Sequence, residues 1–378
     1  MKFLHLADLH LGKRVNEFSM LEDQAYILEQ ILEIVDREQA DAVWIAGDVY
    51  DRPVPPEEAV RLFDHFLTAL AERKKPVFFI SGNHDSAERV AFGAQLIAES
   101  GIHTAPVYDG NVVPVELEDA YGKICVWMLP FVKPAVVRHA FPEREIATYQ
   151  DAVQTAIEAM QVDPACRNVL ICHQFVTGAA RCDSEETAVG GMDDISASLF
   201  DGFDYTALGH LHGPQQVGRE TVRYAGSPLK YSFSEAGQKK AAVIVELQEK
   251  GKTDVRLIPL VPLHDMREIR GSYLEVSARD FYRGTAVEDY LHITLTDEED
   301  IPDAVGKLRN IYPNLMRLDY DNRRTRNTEK LEEETSVESR KPEELIADFY
   351  RMQNGAALND AQLSYMQKLL EKIGEGKV

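Results

Sequence analysis

Lys2-Phe3-Leu4-His5-Leu6-Ala7-Asp8-Leu9-His10 opens the chain with a short apolar run that ends on two residue types able to hold metal. Such a run reads as a buried strand. The arrangement then returns four times. Asp48 follows Ala42-Val43-Trp44-Ile45-Ala46-Gly47, and Asn83 and His84 follow Val77-Phe78-Phe79-Ile80-Ser81-Gly82. His173 follows Val169-Leu170-Ile171-Cys172, and His210 and His212 flank Leu211 after Tyr205-Thr206-Ala207-Leu208-Gly209. In layered α/β folds ligands bind where strand carboxyl ends meet loops. Five strand ends bearing Asp, Asn and His therefore point to one place, a two-metal active site.

Working outward, strand and helix alternate. Leu21, Ile27, Leu28, Ile31, Leu32 and Val35 lie at helical spacing over Met20–Glu38. Pro55-Pro56-Glu57-Glu58 suits a first helical turn, and further helices are predicted near Ala87–Glu99 and Ile146–Met160. Strands are predicted near Val112–Leu117, Ile124–Leu129, 168–172, 204–208, Val222–Ala225 and Ala241–Leu247. This alternation implies one central sheet with helices on both faces. A second, smaller α+β unit is expected to start near Thr253, with strands at Leu257–Leu263, Ser272–Val276, His292–Thr296 and Leu315–Tyr320. Helices are predicted there near Ser277–Arg283 and Ile301–Ile311. Residues 321–341 are charged and poor in large apolar groups, as in a linker. Pro342–Gln353 and Asp360–Ile373 read as amphipathic tail helices separated by Asn354-Gly355, a helix stop.

The 378 residues are enough for two or three domains, and 44% apolar with 28% charged content is that of a globular protein with a sizeable core. No run approaches the ~20 apolar residues of a membrane span, and His5, Asp8 and His10 interrupt any signal-peptide core. A cytoplasmic location is expected. Cys125, Cys166, Cys172 and Cys182 lack paired C-x-x-C spacing, which argues for free thiols rather than a zinc knuckle. The net charge is −22. Residues 1–240 carry 21 basic and 36 acidic side chains, and residues 241–378 carry 20 and 27. Neither part is a basic nucleic-acid module. DNA is still allowed as a substrate, because bound cations reverse the local sign and a partner can supply basic surface.

Asp8-Leu9-His10 places a carboxylate and an imidazole on one side of an extended backbone. In Gly47-Asp48 and Gly82-Asn83-His84-Asp85, glycine permits a tight strand-to-loop turn. Gly209-His210-Leu211-His212 sets two imidazoles two apart. Taken in this order, the motifs resemble those of the calcineurin-like metallophosphoesterases over roughly residues 1–240. The resemblance implies that Asp8, His10 and His212 hold one ion, that Asn83, His173 and His210 hold the other, and that Asp48 bridges both. It implies two divalent ions, Mn²⁺ in preference to Fe²⁺ or Zn²⁺, in keeping with oxygen and imidazole ligands free of thiolate. Two ions so held can clamp the attacking and leaving oxygens during displacement at phosphorus. His84 would sit beside the phosphate, stabilising charge or protonating the leaving oxygen. Asp85 either orients His84 or caps its own turn.

Fold alone does not choose among phosphoesterases. Phe3 through Gly12, Gly190-Gly191-Met192, and Tyr224-Ala225-Gly226-Ser227-Pro228 through Glu235 are similar to segments of the SbcD nuclease subunits, as are Pro342-Glu343-Glu344-Leu345, Phe349-Tyr350 and Gln353-Asn354-Gly355. That resemblance implies a DNA nuclease working with an SbcC-type coiled-coil ATPase. Its expected activities are ATP-dependent exonuclease action on double strands and endonuclease action on single strands and hairpins, in DNA repair, recombination and replication. It further implies a nuclease domain over 1–250, a capping domain over 253–320 and tail helices that dock on the ATPase. A homodimer within a heterotetramer is expected, formed through Glu57–Glu72 (Val60, Phe63, Leu67, Leu70) and Ala87–Glu99 (Val90, Leu96, Ile97). Asp51 stands where some relatives carry a histidine, and it is left out of the catalytic set. The rival enzyme is a stand-alone phosphatase or phosphodiesterase acting on small molecules. The non-enzyme rival is a scaffold whose metal only organises DNA.

Overall fold

The computed structural model describes residues 1–182, 185, 194–322, 346–347, 350–351, 358–359 and 362–366. Residues 323–341 of the charged linker, the Gly190-Gly191-Met192 motif and most of the tail helices lie outside the described residues. Two compact units are present: Met1–Thr294 with Pro302–Asp319, and Leu295–Ile301 with Tyr320–Val378. In the second, the described residues 362–366 are helical, and Asn359 Oδ1 accepts the Gln362 N–H at 3.0 Å as a cap.

The first unit is α/β, as expected, but it stacks two sheets where the alternation predicted one. The first sheet runs Thr253–Pro259, Ala241–Leu247, Lys2–Leu6, Ala42–Ile45, Val77–Phe79, Ile102–Thr104. The second runs Gln215–Val217, Arg219–Tyr224, Tyr205–Gly209, Arg167–His173, Gly122–Leu129, Val115–Asp119. The reason lies in strands that are apolar on both faces. In the first strand Leu4 and Leu6 pack toward the helices Leu21–Glu38 and Glu57–Glu72, while Phe3 joins Trp44, Phe78, Val126, Ile171 and Tyr205 in a layer between the sheets. Phe3 stacks on Trp44 with ring centroids 4.2 Å apart, and Trp44 lies 5.7 Å from Tyr205 of the opposite sheet. Helices Pro134–Ala140 and Tyr149–Ala159 cover the outer face of the second sheet through Val137, Ala152, Val153 and Ala156. An apolar run buried between two sheets has the same pattern as one buried under helices, so sequence periodicity cannot separate them.

The strands that matter for the site are parallel. Lys2–Leu6, Ala42–Ile45 and Val77–Phe79 run side by side in one direction, as do Gly122–Leu129, Arg167–His173 and Tyr205–Gly209. Each set therefore delivers its carboxyl ends to one edge of its sheet.

Three local expectations give way to other structures. Ala87–Glu99 is not one helix but two, Ala87–Val90 and Ala94–Ala98, because Gly93 between them adopts φ +75°, a conformation outside the helix. Ser272–Val276 is not a strand: Ser272 accepts the Glu275 N–H and caps a helical turn, Tyr273–Val276. Leu257 and its neighbours do not open a separate unit. Thr253–Pro259 pairs antiparallel with Ala241–Leu247 as the edge of the first sheet. Beyond it, Met266–Gly271, Tyr290–Leu295 and Leu315–Tyr320 form a three-stranded sheet. Tyr290 OH donates to Asp23 Oδ2 at 2.6 Å, and Met266, Tyr290 and Met316 share the first core, so this sheet packs on the larger fold. Among the described residues no helix is long and apolar enough to cross a membrane.

Arg167, 3% exposed, donates to Asp119 at 2.5 and 3.2 Å and to the Gln248 carbonyl at 2.9 Å. Burial opposes the Asp119 charge, but the Arg167 guanidinium beside it holds the carboxyl well below the ordinary carboxylate range. A depressed carboxyl stabilises the fold above its ordinary value of 3.8 and loses that contribution as pH falls below it. We predict that Asp119→Asn lowers stability by roughly 2–4 kcal/mol at neutral pH by stranding a buried guanidinium. Denaturant melts of the two proteins should converge as the pH is lowered below about 4; a constant gap across pH would contradict the ion pair.

Candidate metal centre

Backbone bonds stitch the strand ends together. Asp8 N–H donates to the Gly47 carbonyl at 3.1 Å, and His10 N–H to that of Asp48 at 2.9 Å. Asp8, His10, Asp48 and His210 all take positive φ (53°, 45°, 49° and 102°). Non-glycine residues held there cost about 1–3 kcal/mol each and gather where function fixes the backbone. The motif glycines have a separate task. A Cβ on Gly47 would strike the His173 ring, one on Gly82 the Asp48 carboxylate, and one on Gly209 the Ala46 carbonyl. Loops from both sheets thus meet at backbone contact.

All seven expected ligands are brought together. His10 Nε2 and His212 Nε2 face each other at 3.1 Å. Asn83 Oδ1 lies 2.9 Å from both His173 Nε2 and His210 Nδ1. Asp48 stands between the two sets, its Oδ2 3.3 Å from His173 Nε2 and 3.7 Å from His10 Nε2. Asp8 Oδ1 accepts the His210 N–H at 2.9 Å, while its buried Oδ2 has no hydrogen-bond partner among the described residues. His173 Nδ1 lies 2.8 Å from the Ala46 carbonyl, and Nε2 faces oxygens of Asp48 and Asn83. Burial opposes a charge on the ring, but the Asp48 and Asp8 carboxylates raise its pKa to about 9, so the Nε2 proton must leave before that nitrogen can hold an ion. Asp8, His10, Asp48, His173, His210 and His212 are buried; Asn83 and His84 are half-buried at the rim.

The electrostatics of this cluster are those of a cation site. Burial pushes the Asp8 carboxyl well above its ordinary range, against the pull of His173 and with the repulsion of Asp48. Burial opposes the charge on Asp48 too, but His173 and His10 override it and hold that carboxyl far down. His10 is driven well below the imidazole range by burial. Ligand atoms of Asp8, Asp48 and His173 lie within 4.8 Å of one another, as do those of His10, Asp48 and His84. An orphaned, fully buried carboxylate oxygen and imidazole nitrogens turned toward one another fit divalent cations. The oxygen and nitrogen donor set suits Mn²⁺, Fe²⁺ or Zn²⁺.

His84 N–H donates to Asp48 Oδ1 at 2.9 Å, its Nδ1 lies 3.2 Å from the Asp51 carbonyl, and its ring sits 4.8 Å from that of His10. Of the two expectations for Asp85, the turn-capping one matches the contacts. Its carboxylate accepts the N–H groups of Gly82 (2.9 Å), Val49 (3.0 Å) and Tyr50 (2.9 Å), locking two loops together instead of touching the His84 ring.

Several supporting residues escape the sequence reading. Gln24 donates to the His10 carbonyl at 2.8 Å and accepts the Gly12 N–H at 2.9 Å, clamping the first loop from a helix. Tyr231 OH donates to the Leu9 carbonyl at 2.5 Å. Asp51, set apart from the catalytic residues on sequence grounds, places Oδ1 2.6 Å from Lys13 Nζ and 3.6 Å from His10 Nδ1. Glu235 Oε1 stands 3.2 Å behind His212 Nδ1. Glu235 belongs to the quoted Tyr224–Glu235 stretch, but nothing in its spacing marks it as a partner of a residue so far back in the chain.

A family model described as calcineurin-like phosphoesterase matches residues 1–214, and one described as type 5 capsule protein repressor C-terminal domain matches residues 262–354. The chain is similar to the SbcD component of the nuclease SbcCD of Staphylococcus epidermidis, with 32% identity over 382 residues that span 99% of each chain. Among solved structures it is similar to a dimetal phosphatase from Danio rerio at 12% identity, covering 69% of this chain and 96% of that one with a TM-score of 0.41. It is also similar to a protein of Thermus thermophilus at 11% identity, covering 68% and 98% with a TM-score of 0.39.

The close approach at Gly82 is directly testable. Gly82→Ala should weaken Mn²⁺ binding on the order of tenfold by displacing Asp48, whereas Gly202→Ala, whose Cβ meets open space, should not. Isothermal titration calorimetry of the two variants measures the difference, and equal affinities would contradict it.

Proposed function

The chain belongs to the calcineurin-like phosphoesterases and, among them, to the SbcD nuclease subunits, and on that premise we propose that it hydrolyses DNA phosphodiester bonds as the nuclease subunit of an SbcCD complex. The observation that carries the proposal is the convergence of Asp8, His10, Asp48, Asn83, His173, His210 and His212 from two sheets, with His84 at the rim. Asp8, His10, His212 and Asp48 would hold one divalent ion, and Asp48, Asn83, His173 and His210 the other. Bound there, two ions, Mn²⁺ by family resemblance, supply the charge that stabilises in-line displacement at phosphorus.

The chain's own groups do the rest. Asp85 fixes the loop that carries His84, and the hydrogen bond from its main-chain N–H to Asp48 holds His84 at the cluster's edge. From there its imidazole would donate to a phosphate or leaving oxygen, a role that requires contact with substrate but not with metal. The three-stranded sheet from Met266 to Tyr320 would cap the cleft. Residues 342–378 would dock on a coiled-coil ATPase in helix-in-groove fashion, with residues 321–341 as a tether. A partner of that kind would bring the positive surface that a chain of net charge −22 lacks. Phe92 and Leu96, 85% and 81% exposed, belong to the segment expected to form a homodimer. A cytoplasmic setting accords with this work on DNA.

His84→Ala is expected to keep Mn²⁺ affinity within about twofold while losing at least ~10²-fold in DNA hydrolysis. Retained hydrolysis, or loss of metal, would reject the rim role. Deleting residues from Pro342 onward should abolish co-purification with the ATPase partner yet leave Mn²⁺ binding intact; a complex that survives the deletion would reject the docking role.

A further inference from the structure

His212 is gripped at two points by one buried ion pair. Glu235, fully buried on the 3₁₀ turn Phe233–Glu235, places Oε1 3.2 Å from His212 Nδ1 and Oε2 2.5 Å from Lys240 Nζ. Lys240, 5% exposed, donates onward to the His212 carbonyl at 2.8 Å, to Ser227 Oγ at 2.9 Å and to Gln238 Oε1 at 2.9 Å. The carboxylate thus takes the ring and the ammonium takes the backbone of the same residue. Tyr231 N–H also donates to Glu235 Oε1 at 3.2 Å.

A buried ion pair is a poor way to stabilise a fold, since well-packed apolar residues do as well or better. Its place here is explained by what it holds. With a carboxylate behind Nδ1, the His212 proton is fixed on that nitrogen, and Nε2 is turned toward His10 Nε2. In the other set His173 is backed differently: its Nδ1 donates to the neutral Ala46 carbonyl at 2.8 Å, with Asp8 Oδ1 beyond hydrogen-bond reach at 3.9 Å. An imidazole fixed at both ring and backbone before the ion arrives is a better-placed ligand than one whose Nδ1 meets a single carbonyl.

We infer that Glu235 and Lys240 form a positioning clamp for His212 that makes the two ion positions unequal, the position shared by Asp8, His10 and His212 being the tighter. The inference rests on the two-ion reading above. The clamp never meets substrate; it acts through His212. It loads one ion first and leaves the position near Asn83, His173 and His210 to fill at higher metal concentration.

The test uses the full chain and Mn²⁺ alone, followed by electron paramagnetic resonance of free ion and by calorimetry. Glu235→Gln by itself leaves the Lys240 charge buried and risks misfolding, so Glu235→Gln/Lys240→Met, which removes both charges, is measured beside it. The double variant should melt close to the wild type in chelator, yet bind its tighter Mn²⁺ roughly 10–100-fold more weakly with the weaker ion unchanged. The number of ions held by the wild type tests the two-ion reading. The ratio between wild type and variant for the tightest ion tests the clamp whatever that number is. An unchanged ratio in folded protein, or an equal fall at both positions, overturns it.

Discussion

Two sheets must come within backbone contact at one edge, and the rest of the molecule is arranged around that requirement. Gly209 lies against the Ala46 carbonyl, Gly47 against the His173 ring and Gly82 against the Asp48 carboxylate. No side chain fits at any of the three. The layer between the sheets, built on Phe3, Trp44, Phe78 and Tyr205, sets how closely the strand ends can approach. The helices on either side press the sheets together. Four non-glycine residues with positive φ at this edge represent strain that the two-sided core offsets.

That geometry concentrates negative charge and imidazole in a buried place. A carboxylate such as Asp8, buried with one oxygen unpartnered among the described residues, is costly unless a cation arrives or a proton is taken up. The same tension explains why Asp8 and Asp48 are pushed in opposite directions. Asp48 has His173 and His10 within reach and stays charged; Asp8 carries the cost. The supporting groups complete the picture. Gln24, Tyr231, Asp85 and Glu235 contribute hydrogen bonds that hold backbone and rings still, so that the donors are in place before any ion binds.

Local chemistry was readable where it coincided with a strand end. Asp8, His10, Asp48, Asn83, His173, His210 and His212 each follow an apolar run, and all seven meet in space. Helix Leu21–Glu38 and strand Leu315–Tyr320 fell where periodicity put them. Errors came where one residue governed the backbone: Gly93 breaks a helix that Val90, Leu96 and Ile97 suggest, and Ser272 caps a turn that looks like a strand. The count of sheets was misread for a different reason. Apolar strands carry no mark of whether a helix or another strand covers them.

The sequence by itself determined which candidate ligands stand at the strand ends and the class of chemistry, because these depend on residue type and on spacing over a few positions. Tertiary structure alone decided which side chains stand behind the ligands. Asp85 reaches Val49 and Tyr50 across 36 and 35 residues, and Glu235 reaches His212 across 23. Contacts of that span leave no period in a sequence; they exist only once packing has fixed where each loop lies.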